Sequence, residues 1–420
     1  MENAELVRNS VGIKDLIKYK SFMIKLIAYS ISRFGDSIDA IAYAWMVYEL
    51  TGSKLLMGTL FAVNAVPNIV LSPFAGAFAD RHSKKKIIIT GNFLRGIVVS
   101  ATAILFYYNL LRPWHLFVFT ALNSTFESFI NPANSVLNAS LVPKELYLTA
   151  NSFSSSANTF SELIGLALAG AIISIFKISG AILIDGMTFF IACILLSFMK
   201  YTENIEKMKY SNIKSYYNDL LEGLNFVKKS SFIFIIILMA AAVNFFVTPI
   251  NVLEAAFVKD VLRGDAKLMS YLGVGLMTGA IIGGVVVGQI GSKFNKKKLV
   301  INGLIFFGIN YCLLSLPGNL INGAVSSVIV AAILYFMMGF VLPMINAPIN
   351  SYVMLNTPKE LLGRVSSVMG MFCMCMTPLG SAAAGAVSER VSISVMFFIS
   401  GIMIILLSIF VSMNKNFKNS

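Results

Sequence analysis

From Phe22 to Met413 the chain is a succession of apolar runs of about twenty residues each, separated only by short polar breaks. That pattern leaves few folds open. A run of this length crosses the hydrocarbon of a bilayer as a helix, because the peptide groups find no water there and must satisfy one another within the segment. Charged residues make up only 13% of the 420 residues, against about a quarter in soluble domains, and hydrophobic residues make up 57%. A chain of several soluble domains is excluded. The net charge of +13 would suggest nucleic acid in a soluble protein, but here the cations gather in the polar breaks, where they report topology. No nucleic-acid partner is expected.

Twelve spans are expected, at 22–48, 55–79, 87–110, 114–138, 149–176 and 180–199, then 232–258, 268–290, 299–316, 324–346, 362–386 and 393–413. The fold class is an all-α membrane protein. With the amino terminus in the cytoplasm, 25 of the 33 Lys and Arg fall on the cytoplasmic side, 7 fall outside, and Arg33 stands within the membrane. This bias predicts a multi-pass inner-membrane protein with both termini cytoplasmic. No small-residue cleavage site follows the first residues, so no cleavable leader is expected.

The chain repeats itself at an offset of 212 to 215 residues. Gly76 with Lys84, Lys85 and Lys86 returns as Gly288 with Lys296, Lys297 and Lys298; Pro143-Lys144-Glu145-Leu146 returns as Pro358-Lys359-Glu360-Leu361; Gly165 and Gly170 return as Gly380 and Gly385. Two six-helix halves, 1–199 and 232–420, follow from this, joined by a cytoplasmic linker, 200–231. Six spans per repeat give both halves one orientation, with an axis along the membrane normal and a cavity between them. In the linker, Ile213, Tyr217, Leu220, Leu221, Leu224 and Val227 recur at helical spacing, the mark of an amphipathic helix on the inner leaflet. A monomer is expected, each half completing the cavity of the other.

A charge in hydrocarbon costs several kcal/mol, roughly, and survives facing a cavity or a partner, so the polar residues within spans mark the chemistry. Arg33 and Asp36, three apart in the first span, share a face and can pair, while Asp39 lies a further ~60° round the helix. Asp36 is then either a proton or cation site tuned by Arg33 or half of a static packing pair. Glu127 in the fourth span and Glu254 in the seventh are candidates to meet a cationic substrate or carry a proton. Glu162 is a further acid within a span, and Asp185, close to the start of its span, reads as a cap or packing residue. Asn123, Asn131 and Asn134 in the fourth helix are echoed by Asn346 and Asn350 on the tenth, beside Pro132, Pro343 and Pro348, which free backbone carbonyls and bend the helices. Gly165 and Gly170, and Pro378, Gly380 and Gly385, are small-residue contacts that let helices approach closely.

The segment from Gly76 through Asp80 and Arg81 to Lys84, Lys85 and Lys86 resembles the loop signature between the second and third helices of the major facilitator superfamily. Within it the chain looks most like the macrolide-efflux and enterobactin-exporter branch, from Ser32-Arg33-Phe34-Gly35-Asp36, Tyr48-Glu49-Leu50-Thr51-Gly52-Ser53 and Gly363-Arg364-Val365-Ser366-Ser367. The resemblance implies alternating access, with helices one, four, seven and ten lining the cavity, and in many members export of a small lipophilic or amphipathic compound in exchange for protons. Gly76, Asp80, Arg81 and Arg364 are then expected to form a latch that closes the inner side, Asp80 meeting Arg364 or helix-end amides. The chain departs from the pattern in three places: an arginine signature of helix four is absent, Leu166 replaces a proline in helix five, and Ser292 stands in the second copy of the loop where the first has Asp80.

Uptake by symport, lipid or siderophore movement, and a non-transporting membrane sensor remain alternatives on sequence. No nucleophile, base and oxyanion-hole constellation appears, so no enzyme is expected. Cys193, Cys312, Cys373 and Cys375 lie in or beside apolar runs and suggest neither a disulfide framework nor a zinc site, and His82 and His115 are too few for a histidine metal site. No cofactor is expected; the expected partners are a small-molecule substrate, protons and membrane lipids.

Overall fold

The computed structural model describes residues 13–201, 213–317, 323–358 and 361–413, and among them every regular element is helical. A short α1 (Ile13–Leu16) precedes α2 (Lys20–Thr51), α3 (Lys54–Arg81), α4 (Lys84–Tyr107), α5 (Pro113–Ser140) and α6 (Tyr147–Ser197). The linker helix α7 (Ile213–Lys229) leads to α8 (Ser231–Ala256), which continues into a π-helical turn, Phe257–Val261. Then follow α9 (Ala266–Ile290), α10 (Lys296–Leu313), α11 (Ala324–Asn356), α12 (Leu362–Ser388) and α13 (Ile393–Met413). The fifth and sixth expected spans run on as α6, broken where Lys177 takes φ 62° and ψ 178°.

Length and hydropathy alone pick out eight of these stretches as able to cross a membrane, fewer than the twelve expected spans. The shortfall has identifiable causes. The two limbs of α6 count as one stretch, α10 opens on three lysines, and α2 and α5 carry the charged and amide side chains of the site described below.

Helix starts repeat as the sequence does. Ser53 caps α3 by accepting from the Leu56 amide, and 212 positions later Asp265 caps α9 by accepting from the Lys267 and Leu268 amides. Ser83 and Asn295, at the same offset, cap α4 and α10 and so begin the helices that carry the lysine triplets. Packing repeats too. Helix α2 lies against α6 as α8 lies against α12, α4 pairs with both α5 and α6 as α10 pairs with α11 and α13, and α3 meets α5 as α9 meets α11. The core of the second group includes Phe397, whose ring sits 5.2 Å from Phe257 and 5.3 Å from Tyr311.

The glycines place these contacts. A Cβ on Gly165 would run into Phe34 and Ser37 of α2, and one on Gly380 would run into Phe245 and Thr248 of α8. Gly170 and Gly385 do the corresponding thing across the two groups: the first abuts Lys267 and Ser270 of α9, the second Lys54, Leu55 and Gly58 of α3. Backbone approaches this close need residues without a side chain.

The groups meet chiefly along α3 with α12 and α6 with α9, and the cross-contacts gather at the face that bears the α2–α3 and α8–α9 turns. There the Tyr48 hydroxyl donates to Asp260 Oδ2, Lys54 Nζ lies 3.9 Å from the same oxygen, and Lys259 stands over the rings of Trp45 and Tyr48. Glu389 accepts from Ser53 Oγ and from the Leu55 amide, both at 3.4 Å. The π-helical turn supplies the register that turns Lys259 and Asp260 toward the other group.

At the opposite, basic face, Lys85 Nζ donates to the carbonyls of Ser197 and Met199 at the end of α6, and Lys296 donates to Ser351 Oγ on α11. Helix α7 packs on α12, Gly223 against the Arg364 carbonyl, and Glu222 pairs with Arg364 at 2.7 Å.

Replacing Gly385 with leucine is expected to cost the joined turn face about 1–3 kcal/mol through overpacking. In a background otherwise free of cysteine, alkylation of a cysteine placed at Val47, buried just beneath that face, should then be faster with Gly385→Leu than with Gly385 retained. An unchanged labelling rate would show that the contact does not hold the face shut.

Candidate functional site

Within the first group of helices, α2, α3, α4, α5 and the second limb of α6 enclose a cavity of about 310 Å³. Along α2 it runs from Arg33 to Val47, about 21 Å at the helical rise, and so occupies the middle of the bundle. Its wall mixes apolar and aromatic surface, including Phe61, Phe119 and Tyr43, with a band of charge.

Helix α2 contributes Arg33, Asp36 and Asp39; α4 contributes Arg95; α5 contributes Glu127 and Asn123. Arg95 Nη2 donates to Asp36 Oδ1 at 3.0 Å and its Nε donates to Asn123 Oδ1 at 2.9 Å, while its guanidinium lies 4.3 Å from the Phe189 ring centre. The Arg95 side chain is only 7% exposed, so this is a desolvated pair with little screening. Arg33 reaches the other Asp36 oxygen at 3.7 Å and Glu127 Oε1 at 3.7 Å, and its Nε donates to the Tyr29 hydroxyl. The i,i+3 spacing thus brings Arg33 and Asp36 together, and a second arginine on a neighbouring helix completes the pairing. Further along the cavity Tyr43 and Thr120 share a hydrogen bond of 2.6 Å, and Asn68 donates to Ser124, whose hydroxyl donates to the Asn64 carbonyl.

One residue of this site escapes the sequence reading. The sequence reading leaves Arg33 as the one cation within the membrane, yet Arg95 lies inside the third span and is buried. Its position eight residues inside an apolar run was the available signal. Asp185, read as a cap or packing residue, is 1% exposed and lies well inside the second limb of α6. A Cβ on Gly35 of α2 would meet its Oδ1, so it sits against the charged helix.

The remaining candidates are placed elsewhere. Asn131 is exposed and Asn134 half-buried, both nearer the basic end of α5, and Asn346 and Asn350 are exposed on α11. Glu254 lies within the second group beside Tyr335 of α11. None of these five lines the charged cavity. Of the expected latch, Gly76 is half-buried and Arg81 exposed, the Asp80 side chain lies outside the described residues, and Arg364 is paired with Glu222. Among the described residues no grouping of His, Cys, Asp and Glu is arranged to hold a metal ion, and the four cysteines are free thiols.

A bundle of apolar helices around a desolvated, charged and aromatic-walled cavity is the architecture of a multi-pass membrane transporter. The chain belongs to the major facilitator superfamily, whose family model matches residues 26–381 and 255–416. It is 24% identical over 397 residues to macrolide efflux protein A of Streptococcus pyogenes, covering 93% of this chain and 96% of that protein. It is 26% identical over 349 residues to the multi-drug resistance efflux pump PmrA homolog of Lactococcus lactis, covering 81% of each. Among solved structures, a bacterial homologue of the iron transporter ferroportin in an inward-facing state superposes with a TM-score of 0.74 at 17% identity, over 96% of this chain and 98% of that one. A variant of the nucleoside transporter NupG also reaches 0.74, at 11% identity, over 93% and 98%.

Removing Arg95 would take from Asp36 its closer and more buried partner and leave only the 3.7 Å contact to Arg33, and breaking a buried pair from one side costs up to about 3–5 kcal/mol. Arg95→Met is therefore expected to lower the thermal unfolding midpoint of the detergent-solubilised protein, and Asp36→Leu in the same chain should recover part of the loss. Equal destabilisation by the single and the double substitution would show that the pair contributes nothing of its own.

Proposed function

We propose that this transporter exports a small lipophilic or amphipathic compound by alternating access, in exchange for protons. The observation that carries the reading is the cavity itself: ion-paired acids and arginines beside aromatic wall, midway through the bundle, in a chain whose two groups of helices are joined at one face. An amphipathic solute finds apolar surface for its body and fixed charges for its polar end in such a space. The relatives named for macrolide and multidrug efflux support the direction and the class of solute.

In this reading residues 1–199 and 232–420 are halves that rock against each other, with 200–231 as the cytoplasmic linker. The basic face lies in the cytoplasm, a placement the distribution of Lys and Arg supports, and both termini lie there with it. The joined turn face then looks outward, and the conformation described is the one that takes up solute from the cytoplasm. When the basic face closes, Gly76, Asp80, Arg81 and Arg364 form its latch, with Arg364 exchanging Glu222 for Asp80. Each polypeptide works as a monomer.

The test is accumulation of macrolides and fluorescent lipophilic compounds in efflux-deficient cells, with and without a protonophore. The wild-type chain should lower accumulation, and the protonophore should abolish the difference. Asp36→Asn, which removes the acceptor of two guanidiniums, should weaken export about tenfold or more, the scale of a lost hydrogen bond to a charged group. Protonophore-insensitive export would end the antiport reading, and no change with any compound in the panel would end the drug-like substrate class.

A further inference from the structure

We infer that a notch between α6 and α9 at the turn face binds the headgroup of an anionic phospholipid, with Lys267 meeting its phosphate, and that the lipid bridges the two groups of helices. The inference goes beyond the transport reading and needs neither its solute nor its driving ion.

The repeat shows what the notch lacks. Two seams join the groups at the turn face, α12 on α3 and α6 on α9, and they are packed in one register: Gly385 lies on Leu55 and Gly58 as Gly170 lies on Lys267 and Ser270. The side chains that follow differ. Four residues beyond Gly385 stands Glu389, whose carboxylate crosses to the other group and accepts from Ser53 Oγ and the Leu55 amide. Four residues beyond Gly170 stands Ser174, and in the place of Leu55 stands Lys267. One seam thus carries its own bridging anion, and the other has a cation and a hydroxyl where that anion would act.

At this second seam the helices leave room. A cavity of about 310 Å³ lies between them, walled by Gly170, Ser174 and Ile175 of α6 and by Lys267, Ser270 and Tyr271 of α9. That volume is at the small end of ligand pockets, about 300–1,000 Å³, and suits a headgroup rather than a whole lipid. Ser270 is buried and donates to the Ala266 carbonyl, so Lys267, Ser174 and Tyr271 are the donors left to face an occupant. Asp265, the acid nearest in sequence, accepts from the Lys267 and Leu268 amides; its carboxylate caps α9 and does not line the cavity. Among the described residues no carboxylate is in ion-pair contact with the Lys267 ammonium.

Position selects a lipid over an anion from solution. The cavity opens between Ile175, 72% exposed, and Tyr271, 64% exposed, beside the exposed Phe176. Large apolar side chains on the outside of a membrane bundle face acyl chains. Lys267 is the second residue of α9, and Ser174 comes three residues before the break at Lys177, so both lie near helix ends, at the depth where headgroups begin. A basic pocket between membrane helices at that depth is a headgroup site, and the Lys267 stem can run along apolar surface to carry its charge to the phosphate. Since one wall belongs to each group, the notch is whole only while the turn face is closed, and an occupant favours that conformation by mass action.

Native mass spectrometry of the purified full-length protein, titrated with phosphatidylglycerol or with phosphatidylcholine, tests the site. The first phosphatidylglycerol should bind about tenfold more tightly than phosphatidylcholine, the scale of a hydrogen bond to a charged group. Lys267→Gln should erase the preference and Lys267→Arg should keep it. Ser174→Phe, which fills the notch and leaves the lysine in place, should erase it as well, whereas Arg390→Gln, at an exposed cation of the other seam, should not. In a background otherwise free of cysteine, alkylation of Val47→Cys by a neutral maleimide should be slower in phosphatidylglycerol vesicles than in phosphatidylcholine vesicles, and Lys267→Gln should remove the difference. A preference that survives Lys267→Gln or Ser174→Phe would overturn the site and leave a lysine that merely reaches into the interface. A preference lost in Arg390→Gln would overturn it in favour of general attraction to the cations of this face. Competition by inorganic phosphate would make the occupant a free anion, and equal alkylation in the two lipids would overturn the bridge.

Discussion

The desolvation of two guanidiniums governs how the first group of helices is built. Neither Arg33 nor Arg95 can shed its charge in a bundle of this polarity, so each needs a carboxylate within reach, and α2, α4 and α5 are tied together at the depth where those partners lie. Once the helices are held there, the cavity between them follows, because side chains committed to ion pairs are not free to fill it. The Arg95–Asn123 hydrogen bond and the stacking on Phe189 fix the guanidinium plane, which in turn fixes which oxygen of Asp36 is used.

The two groups of helices share a plan and differ in content. Caps recur at Ser53 and Asp265 and at Ser83 and Asn295, and the glycine contacts recur as Gly165 with Gly380 and Gly170 with Gly385. The chemistry does not recur. Where the first group holds a cluster of acids and arginines, the second holds Glu254 beside Tyr335 and an aromatic core around Phe397. Backbone geometry recurs between the two groups, while the clustered charges that line a cavity belong to the first and the second holds the single buried acid Glu254.

Much of this was legible beforehand, and the gaps have physical reasons. Helical class and the repeat follow from apolar run length and from residues that recur at one offset, both local properties. The Arg33–Asp36 pair was legible because helical spacing is also local. The role of Arg95 was not, since its partner stands 59 positions away and only packing brings α4 to α2. Asp185 reads in the sequence as a cap or a packing residue, and the structure decides between the two: Lys177 breaks α6 eight residues earlier, so Asp185 caps nothing and packs against α2 deep in the second limb. The asparagines on α5 and α11 read as cavity-wall candidates from similarity of position, but of the five only Asn123 lines the charged cavity, because a helix turned by a fraction of a turn presents a different residue.

The seam at the turn face is closed by two unlike kinds of contact. Gly58 with Gly385 and Gly170 with α9 are backbone surfaces resting on one another, with no hydrogen bond to break when they part. The directional cohesion therefore resides in a few polar groups at the rim, Asp260 with Tyr48 and Lys54, and Glu389 with Ser53 and the Leu55 amide, and both acids are solvent-exposed. Such contacts are screened by salt, whereas the apolar seam beneath them is not. The ionic strength of the medium on that side therefore bears on the seam, since it sets how firmly the rim contacts hold while leaving the apolar contact beneath them unchanged.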